Sequence, residues 1–382
     1  MASAGGAVRG RSRGGDSGNG EAIGNAGGRL SFAIDREQIH HREETYMPGP
    51  SARTATVLAG AALLLVSGCA SDGGEDKIQT IEAATAAESP VQSNTPAGTV
   101  TPLVQRIAAA TFDPSTGTVA MLTDDARTLL TVSATDPAAA PREVALPGGT
   151  ASLSAPRDGV LAVPAGRGVA TVNIADGTAT TIPVDADVQS TALLGDGRIA
   201  VGTADGDVLE IDASGAVAHT VDGLVSVDAL GVVGEEVSAL DRQQTSVTEI
   251  NLEGERPGMA LRAGTGATNL ITDNFGRILV ADTDGGALLS FTADPLMMHQ
   301  KYPVPNSPYA LAVDATTGMV WVTVTATNEV IGFDLSTGSP VEKHRYPTVR
   351  QPNSVAVDSE TGTVFVASGT GDGVQRIDVA AH

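Results

Sequence analysis

Residues 302–323 read "YPVPNSPYALAVDATTGMVWVT" and residues 346–367 read "YPTVRQPNSVAVDSETGTVFVA". Both share a frame with residues 101–122, "TPLVQRIAAATFDPSTGTVAML", in which proline stands second, aspartate thirteenth, and Thr-Gly follows three and four positions later. The three aspartates are Asp113, Asp314 and Asp358. Since an apolar run precedes each aspartate and another follows each glycine, the frame predicts two strands joined by a tight turn.

Looser copies of this frame fill the region between the first copy and the last two. They read "SLSAPRDGVLAVPAG", "TALLGDGRIAVGTADG", "DALGVVGEEVSALDRQ" and "NLITDNFGRILVADTDGG". The turn glycines fall at Gly117, Gly159, Gly197, Gly276, Gly318 and Gly362, with Glu235 near the slot that lacks one. A repeat of about forty residues with no helix signal is typical of propeller blades of four strands.

The repeats therefore predict an all-β fold over residues 98–382, a seven-bladed β-propeller of four-stranded antiparallel blades. The last repeat ends at "GVQRIDVAAH", one strand short, whereas "GTVTPLV" at 98–104 precedes the first repeat. We predict that this N-terminal strand completes the last blade, because such closure removes an exposed sheet edge. Six or eight blades remain open alternatives, since the fourth repeat is weak.

Composition excludes several classes of protein. Hydrophobic residues make up 41% of the 382 residues, enough for a sizeable core, and aromatic residues only 3%. The formal net charge of −22, without a basic cluster, argues against a nucleic-acid partner. The single cysteine, Cys69, excludes an intramolecular disulfide and a multi-cysteine zinc site.

The one long apolar run is "VLAGAALLLVSGCAS" at residues 57–71. It is too short to span a bilayer, which needs about 20 apolar residues, but it fits the apolar core of a signal peptide. Its end, Val66-Ser67-Gly68-Cys69, resembles the bacterial lipobox, and that resemblance implies a diacylglyceryl group on the Cys69 thiol. A buried core segment or an uncleaved anchor are the alternatives.

The chain then divides into four parts. Translation from Met47 would make residues 47–68 a complete lipoprotein signal peptide, and residues 1–46, rich in Gly and Arg, are either translated upstream sequence or a disordered extension. Residues 69–97 are acidic and rich in Ser, Thr, Ala and Pro, which predicts a flexible tether with a span on the order of 30 Å. The expected location is the extracytoplasmic face of the cell membrane, with the propeller at 98–382.

Acid–base and metal chemistry find little support in the sequence. His219, His299 and His344 lie on predicted outermost strands, and His382 is the terminal residue. "DTDGG" at Asp282 lacks the acidic twelfth residue of a calcium loop, so it predicts a hairpin turn. The turns at Asp205 and Asp372 are interpreted in the same way. The "GTG" stretches at Gly264 and Gly369 could suggest phosphate-binding loops, but neither opens a helix, so they also predict turns. Trp321 is expected to pack in the core. We predict no catalytic residue, no metal site and no cofactor.

A binding rim is the better candidate for a site. The loops that join each outer strand to the next inner strand cluster on one face of a propeller, and here they read "QRIAAA", "AGTGATN", "VPNSPYA" and "RQPNSVA". The candidate residues in these loops are Arg106, Asn269, Tyr309, Arg350 and Asn353. The alternative is ordinary solvated turn chemistry.

Long strings of the second half resemble the mycobacterial lipoprotein LppL family and its actinobacterial relatives. They read "LDRQQTSVTEI", "LRAGTGATNL", "GRILVADTDGGALL" and "ATNEVIGFDLSTGSPVEKHRYPTVRQPNSVA". The resemblance runs from Cys69 to the C-terminus and is densest from about residue 238 onward. It implies a secreted, lipid-anchored propeller of the YVTN/NHL-like type and brings no catalytic residues.

Together, these observations favour a membrane-anchored binding, scaffold or sensor module. Its expected partners are the membrane, reached through the lipid anchor, and an envelope protein or cell-wall ligand. The competing hypothesis is a propeller enzyme, such as a metal-dependent sugar lactonase or a quinone-dependent dehydrogenase. Propellers host both classes, so the fold alone does not choose between them.

Overall fold

The computed structural model describes residues 79–136 and 139–379. They belong to one compact unit, Asp72–His382, and a second unit, Met1–Ser71, lies outside the described residues. The predicted extension at 1–46, the signal peptide at 47–68, Cys69 with its lipobox, the first part of the tether and His382 therefore also lie outside the described residues.

The described residues form 27 strands and one short 3-10 turn, Gly195–Gly197. The strands of the first half are β1 (Thr99–Thr101), β2 (Ile107–Asp113), β3 (Thr118–Thr123), β4 (Thr128–Ser133), β5 (Arg142–Ala145), β6 (Val160–Pro164), β7 (Gly168–Asn173), β8 (Ala179–Pro183), β9 (Val188–Leu193), β10 (Ile199–Thr203), β11 (Val208–Ile211), β12 (Val217–Val221) and β13 (Ala229–Val233). The strands of the second half are β14 (Glu236–Asp241), β15 (Ser246–Asn251), β16 (Arg256–Arg262), β17 (Ala267–Thr272), β18 (Arg277–Asp282), β19 (Ala287–Thr292), β20 (Met297–Pro303), β21 (Pro308–Val313), β22 (Met319–Val324), β23 (Glu329–Asp334), β24 (Val341–Pro347), β25 (Pro352–Asp358), β26 (Thr363–Ser368) and β27 (Val374–Asp378).

These strands form seven antiparallel sheets, which are the blades of a propeller. Blades 1 to 6 begin at β2, β6, β9, β13, β17 and β21, and each runs outward in chain order; blade 7 contains β25, β26, β27 and β1. The predicted all-β, seven-bladed propeller is confirmed, and the alternatives of six or eight blades are excluded.

Blade 2 departs from the regular pattern. Only β6, β7 and β8 pair in it, and residues 151–156, "ASLSAP", occupy the inner position without regular strand pairing. Ala151 and Leu153 of this segment still pack against the buried cluster that blades 1 and 2 share. The sequence pattern placed the weakness in the fourth repeat instead, yet blade 4 has four fully paired strands.

Blade 7 combines the first and the last strand of the described chain. β1 pairs with β27 in the register Thr99↔Arg376, Val100↔Gln375 and Thr101↔Val374. The fully buried Gln375 amide supports this junction, because its Nε2 donates to the carbonyls of Ala97 (2.7 Å) and Pro347 (3.0 Å).

The core lies between the blades, so the middle strands are apolar on both faces. In β22, "MVWVTV", Val320, Val322 and Val324 pack in a cluster with blade 5. Trp321, on the opposite face and 2% exposed, packs with residues of blade 7, as the sequence analysis expected. Since neighbouring sheets cover both faces, strict alternation of apolar and polar residues is absent from these strands.

The hairpin between the first and second strand of a blade uses the predicted turn chemistry. The Asp314 carboxylate accepts the backbone N–H of Thr316 (2.9 Å) and the hydroxyl of Thr317 (2.6 Å). Gly318 follows with φ = 72°, a left-handed conformation that favours glycine. In blade 4, Gly234 with φ = 63° fills the slot that the sequence analysis left to Glu235. The hairpin loop there has two residues, between the paired Val233 and Glu236, whereas that of blade 1 has four, between the paired Asp113 and Thr118.

Candidate functional site

The loops of the propeller fall on two faces. Because consecutive strands of a blade run in opposite directions, the hairpins between first and second strands share one end of the blades, and we call this end the turn face. The loops from second to third strands, and those from each outer strand to the next inner strand, lie at the other end, which we call the rim face.

A central cavity of about 830 Å³ runs along the axis. Its wall consists of the six inner strands β2, β9, β13, β17, β21 and β25 and of the extended segment in blade 2. The lining extends from Asn269 and Asn353 at the rim end to Asp273, Asn274 and Glu360 in the hairpins of the turn face. The cavity therefore reaches the turn face.

The chemistry of the cavity wall is neutral over most of its length. Alanine, glycine, valine, leucine, serine and threonine dominate the lining. Its four charged residues, Arg157, Asp273, Asp358 and Glu360, all belong to the turn-face end. Two of the carboxylates are already engaged, since Asp273 binds Arg277 and Asp358 accepts the Thr361 hydroxyl.

The inner strands also give the wall free backbone groups. Each inner strand is the terminal strand of its sheet and pairs only with the second strand of its blade. The opposite edge of such a strand presents N–H and C=O groups to the cavity. The cavity thus offers neutral hydrogen-bond donors and acceptors next to small apolar side chains.

An extended segment, residues 79–97, lies across the rim face, and we call it the strap. It begins at blade 4, where the N–H of Ile81 donates to Gln243 O (2.9 Å) and Arg242 binds the carbonyl of Ala84. It ends between blades 6 and 7, where the N–H of Ala97 donates to the carbonyl of Pro347 in β24 (3.0 Å) and the Gln375 Nε2 of β27 donates to Ala97 O (2.7 Å). Blades 4 and 7 stand on opposite sides of the ring, so the strap crosses the face from side to side.

The strap differs from the predicted flexible tether over residues 79–97. It has no regular secondary structure, as its composition suggested, but Ala84 and Ser89 are only 5% and 3% exposed. Hydrogen bonds to loops of the rim face hold it in place. The composition gave no sign of this, because the strap contributes few apolar anchors.

Five residues of blades 6 and 7 hold the centre of the strap, and we call them the clamp: Ser307, Thr325, Asn328, Arg350 and Gln351. The Gln351 amide binds the strap twice, since its Oε1 accepts the N–H of Ser89 (2.8 Å) and its Nε2 donates to Ala87 O (3.0 Å). Ser307 Oγ accepts the N–H of Ala87 (3.0 Å), and Asn328 Nδ2 donates to Pro90 O (3.1 Å). Arg350 donates to Ser89 O (3.3 Å) and forms an ion pair with the Glu88 carboxylate (3.5 Å). The Ser89 hydroxyl donates to Thr325 O (2.5 Å).

The backbone of the clamp is strained. Ser307, Asn328 and Gln351 have φ values of 66°, 53° and 53°, and Asn306 beside them has 72°. A non-glycine residue in this left-handed region costs roughly 1 kcal/mol or more. Strain of this kind persists where the surrounding structure holds it, and it often concentrates at binding sites.

The structure divides the predicted rim residues into two groups. Arg350 contacts the strap directly, Asn353 Oδ1 accepts from the clamp residue Gln351 (3.0 Å), and Arg106 binds the carbonyl of Gly369 next to them (3.1 Å). Asn269 lies apart from these and donates to Tyr309 O (3.2 Å), which links blades 5 and 6. The rim therefore presents one connected binding region, at blades 6, 7 and 1.

The sequence analysis missed Ser307, Asn328 and Gln351. Two of them lie in loops that it had singled out, "VPNSPYA" and "RQPNSVA", where polar residues precede a proline. That polar-proline pattern was the available signal. The third, Asn328, lies in a loop between second and third strands, which the analysis did not consider as part of the rim.

The three histidines among the described residues lie away from both the cavity and the strap. His219, His299 and His344 are on β12, β20 and β24, the outermost strands, as predicted. His344 stacks on Trp321 with a ring separation of 5.7 Å. Burial, and then the neighbouring Lys343, lower the pKa of His344 below its usual value.

The described residues contain neither a ready-made metal site nor a membrane-spanning helix. Within residues 79–136 and 139–379, no group of three or more His, Cys, Asp or Glu side chains is arranged to hold a metal ion. The same part of the chain contains no helix long and apolar enough to cross a membrane.

Comparisons with known proteins identify the fold. No family model and no curated protein matches the sequence. Among solved structures, virginiamycin B lyase from Staphylococcus aureus matches with a TM-score of 0.59 at 13% identity, over 72% of this chain and 96% of that one. Hydrazine synthase from Kuenenia stuttgartiensis matches with a TM-score of 0.62 at 15% identity, over 74% and 98% of the two chains.

The structure of U3-55K is similar as well, with a TM-score of 0.62 at 12% identity over 75% of this chain and 100% of that one. At 12–15% identity these likenesses concern the propeller alone. Enzymes and a protein with no enzymatic title share it, so the activity has to be argued from the site.

Proposed function

We propose that this protein is a lipid-anchored binding module of the cell envelope, and that its central cavity receives an uncharged, hydrogen-bonding group of an envelope component. The observation that carries the proposal is the neutral wall of the cavity. A volume of about 830 Å³ falls in the usual range for small-molecule sites, roughly 300–1,000 Å³. Charged ligands would find no compensating charge along most of that wall.

The wall favours binding over acid–base or metal chemistry. General acid–base catalysis needs a titratable side chain within hydrogen-bond reach of the reacting proton. The charged residues at the turn-face end, such as Asp273 and Asp358, already accept hydrogen bonds from their own hairpins. An uncharged sugar or amide would instead pair with the free edges of the inner strands, and its apolar parts would contact alanine and valine side chains.

The lipid anchor rests on the sequence of residues 66–69, which resembles a lipobox. The strap adds a geometric argument, because it joins the rim face at Ile81, twelve residues after Cys69. Twelve residues span at most about 40 Å in any conformation. An anchor at Cys69 would thus lie within about 40 Å of the point where the strap meets the rim face.

Membrane fractionation tests the anchor. Cys69→Ala is expected to move the protein from the membrane fraction to the soluble fraction, and Ser71→Ala, two residues away, is the matched control that stays with the membrane. Equal distribution of Cys69→Ala and the unchanged protein between the fractions would refute the anchor.

A blocked cavity tests the ligand class. Ala108 is the extra residue of a bulge in β2 and lines the cavity, so Ala108→Trp is expected to fill part of it; Ala218→Trp, exposed on β12, is the control. Calorimetric titration with uncharged N-acetylated oligosaccharides and with carboxylated muropeptides would compare the two ligand classes. We expect binding of an uncharged member that Ala108→Trp abolishes. Tighter binding of the carboxylated ligands would contradict the proposal. So would the absence of any binding with a dissociation constant of about 1 mM or lower.

A further inference from the structure

We propose that the clamp is a peptide-recognition site in its own right, for an extended segment of a partner protein with an acidic residue followed by serine. In this structure the chain's own strap residues 87–90, Ala-Glu-Ser-Pro, occupy the clamp. The site is on the rim face, at the opposite end of the propeller from the cavity mouth, and the proposal does not depend on the lipid anchor or on the cavity ligand.

The first argument is that the clamp forms hydrogen bonds with the peptide main chain as a neighbouring strand would. The Gln351 side-chain amide accepts the N–H of Ser89 and donates to the carbonyl of Ala87, the two groups that flank Glu88. A backbone residue opposite Glu88 in a β-ladder would make the same pair of hydrogen bonds. Recognition of this kind accepts an extended peptide through its main chain, and side-chain contacts supply the specificity.

The second argument concerns that specificity. Ser89 is buried, and its hydroxyl donates to Thr325 O, so the position has room for a small side chain with a donor. Glu88 points its carboxylate at Arg350, 3.5 Å away. Asn328 Nδ2 binds Pro90 O. An acidic residue, then serine, then a residue with a free carbonyl therefore match the clamp.

The third argument is that the clamp is formed by contacts of its own. The Thr325 hydroxyl donates to Ser307 Oγ (3.0 Å), and the N–H of Gln351 donates to Asn328 Oδ1 (3.0 Å). These bonds lie within the clamp itself and support Ser307, Asn328 and Gln351, whose backbones are left-handed, in addition to the contacts with the strap. A peptide consequently meets side chains that already face the right way, which lowers the entropic cost of binding.

The fourth argument is that the strap is held in a way that permits exchange. Ala84 is its one fully buried apolar residue, and Ile81 and Val91 are 42% and 81% exposed. Such a segment adds little to the hydrophobic core, so its release would not unfold the propeller. A strap attached to the body nonetheless competes at an effective concentration on the order of millimolar, which weakens binding of any other peptide to the intact chain.

The experiment uses the full-length chain and a fluorescein-labelled peptide of residues 82–94, EAATAAESPVQSN. Ser89→Glu in the chain puts a charge into the buried clamp position and is expected to displace the strap. We expect fluorescence polarisation to show at least tenfold tighter binding of the peptide by Ser89→Glu than by the unchanged chain. Ser93→Glu, exposed on the same strap, is the control and should bind like the unchanged chain.

Two further measurements keep the outcome decisive. Gln351→Ala added to Ser89→Glu should remove the peptide binding, and a peptide with alanine in place of Ser89 should bind at least tenfold more weakly to Ser89→Glu. Thermal melts establish that each variant is folded. A folded Ser89→Glu chain that binds no better than the unchanged one, or that binds the serine and alanine peptides equally, overturns the proposal. A strap-exchanged dimer of the unchanged chain by light scattering would also overturn it, because the occupant would then be a second copy.

Discussion

Replacing Asp282 with alanine is expected to lower the free energy of unfolding by about 4 kcal/mol. Asp282 ends β18 and is fully buried. Its Oδ1 accepts three backbone N–H groups, from Thr265 (2.9 Å), Gly266 (2.9 Å) and Gly285 (3.1 Å). The carboxylate thereby joins the loop that enters blade 5 to the hairpin that leaves β18, and both lie on the rim face.

The magnitude follows from the burial of those three donors. A hydrogen bond to a charged group is worth about 1.5–3 kcal/mol, and a buried donor left without an acceptor costs about 1–3 kcal/mol. The N–H of Gly266 is buried, whereas the other two are partly buried and can reach water after truncation. The buried donor therefore accounts for about half of the loss, and for a propeller of this size the melting temperature should fall by about 6 °C.

Asparagine separates the charge of Asp282 from its geometry. The side-chain oxygen of Asp282→Asn can still accept the three N–H groups, so we expect a loss of about 2 kcal/mol, half that of alanine. Asp284→Ala, exposed in the same hairpin, is the control and should change stability by less than about 0.5 kcal/mol. Denaturant unfolding with linear extrapolation measures all three variants. If Asp282→Ala loses less than about 1 kcal/mol, or if the two Asp282 variants are equal, the buried carboxylate does not hold the rim loop.

Three other perturbations test single features of the structure by thermal melting. Burial first, and then two neighbouring carboxylates, raise the pKa of Asp207, so the charged form of this side chain destabilises the fold at neutral pH. Asp207→Asn should therefore be more stable than the unchanged chain at pH 7. This gain should vanish at about pH 3, below the ordinary aspartate pKa, where Asp207 is uncharged in both the folded and the unfolded chain. Burial, and then a neighbouring lysine, lower the pKa of His344 below 6.5, so the fold loses stability as the pH falls below the ordinary histidine pKa. His344→Gln should remove the contribution of this histidine to the loss of stability between about pH 7.5 and 5.5. An unchanged slope of stability against pH would contradict this prediction. A Cβ at Gly202 would lie 2.3 Å from Val227 Cγ1, so Gly202→Ala should destabilise the protein by about 1–3 kcal/mol, and a neutral effect would show that the blade interface can yield.

The blades were predictable because their signals are local. The turn aspartates and glycines stand next to the strands that they join, as in "AVDATTGMVWV", and the carboxylate of Asp314 bonds within three residues of itself. Apolar runs of five or six residues between such turns are too short for helices and are compatible only with strands that are buried on both faces. Fold class and blade number follow from counting these units.

Irregular elements escaped the same reasoning. The inner segment of blade 2, "ASLSAP", carries polar Ser152 and Ser154 and ends in Pro156, which has no N–H for a ladder bond. Its place in the ring is fixed by contacts of Ala151 and Leu153 with blade 1 and blade 2 residues, and not by its own pairing. Only the closed ring shows that this repeat is the incomplete one.

The strap was not predictable from its own sequence. Its acidic, alanine-rich composition is also that of a solvated linker, and its partners are distant in the chain: Ser89 and Gln351 are 262 residues apart. The strap is bound because its main-chain N–H and C=O groups are spaced to match the amide of Gln351, which lies in a strained loop. Neither the strain nor that spacing leaves a hydrophobic pattern for sequence analysis to detect.

Gln351 connects the two candidate sites of the molecule. Its side chain donates to the strap at Ala87 O and to Asn353 Oδ1, and Asn353 lines the rim end of the cavity. The strap is therefore linked to the rim end of the cavity through two intervening side chains, those of Gln351 and Asn353. We expect a ligand to reach the inner strands from the turn face, because the cavity lining extends into the hairpins there. Exchange of the strap for a partner peptide would leave the Gln351 amide occupied and Asn353 held as before. We therefore expect both sites to be filled at the same time, without competition between a peptide at the rim face and a ligand that enters from the turn face.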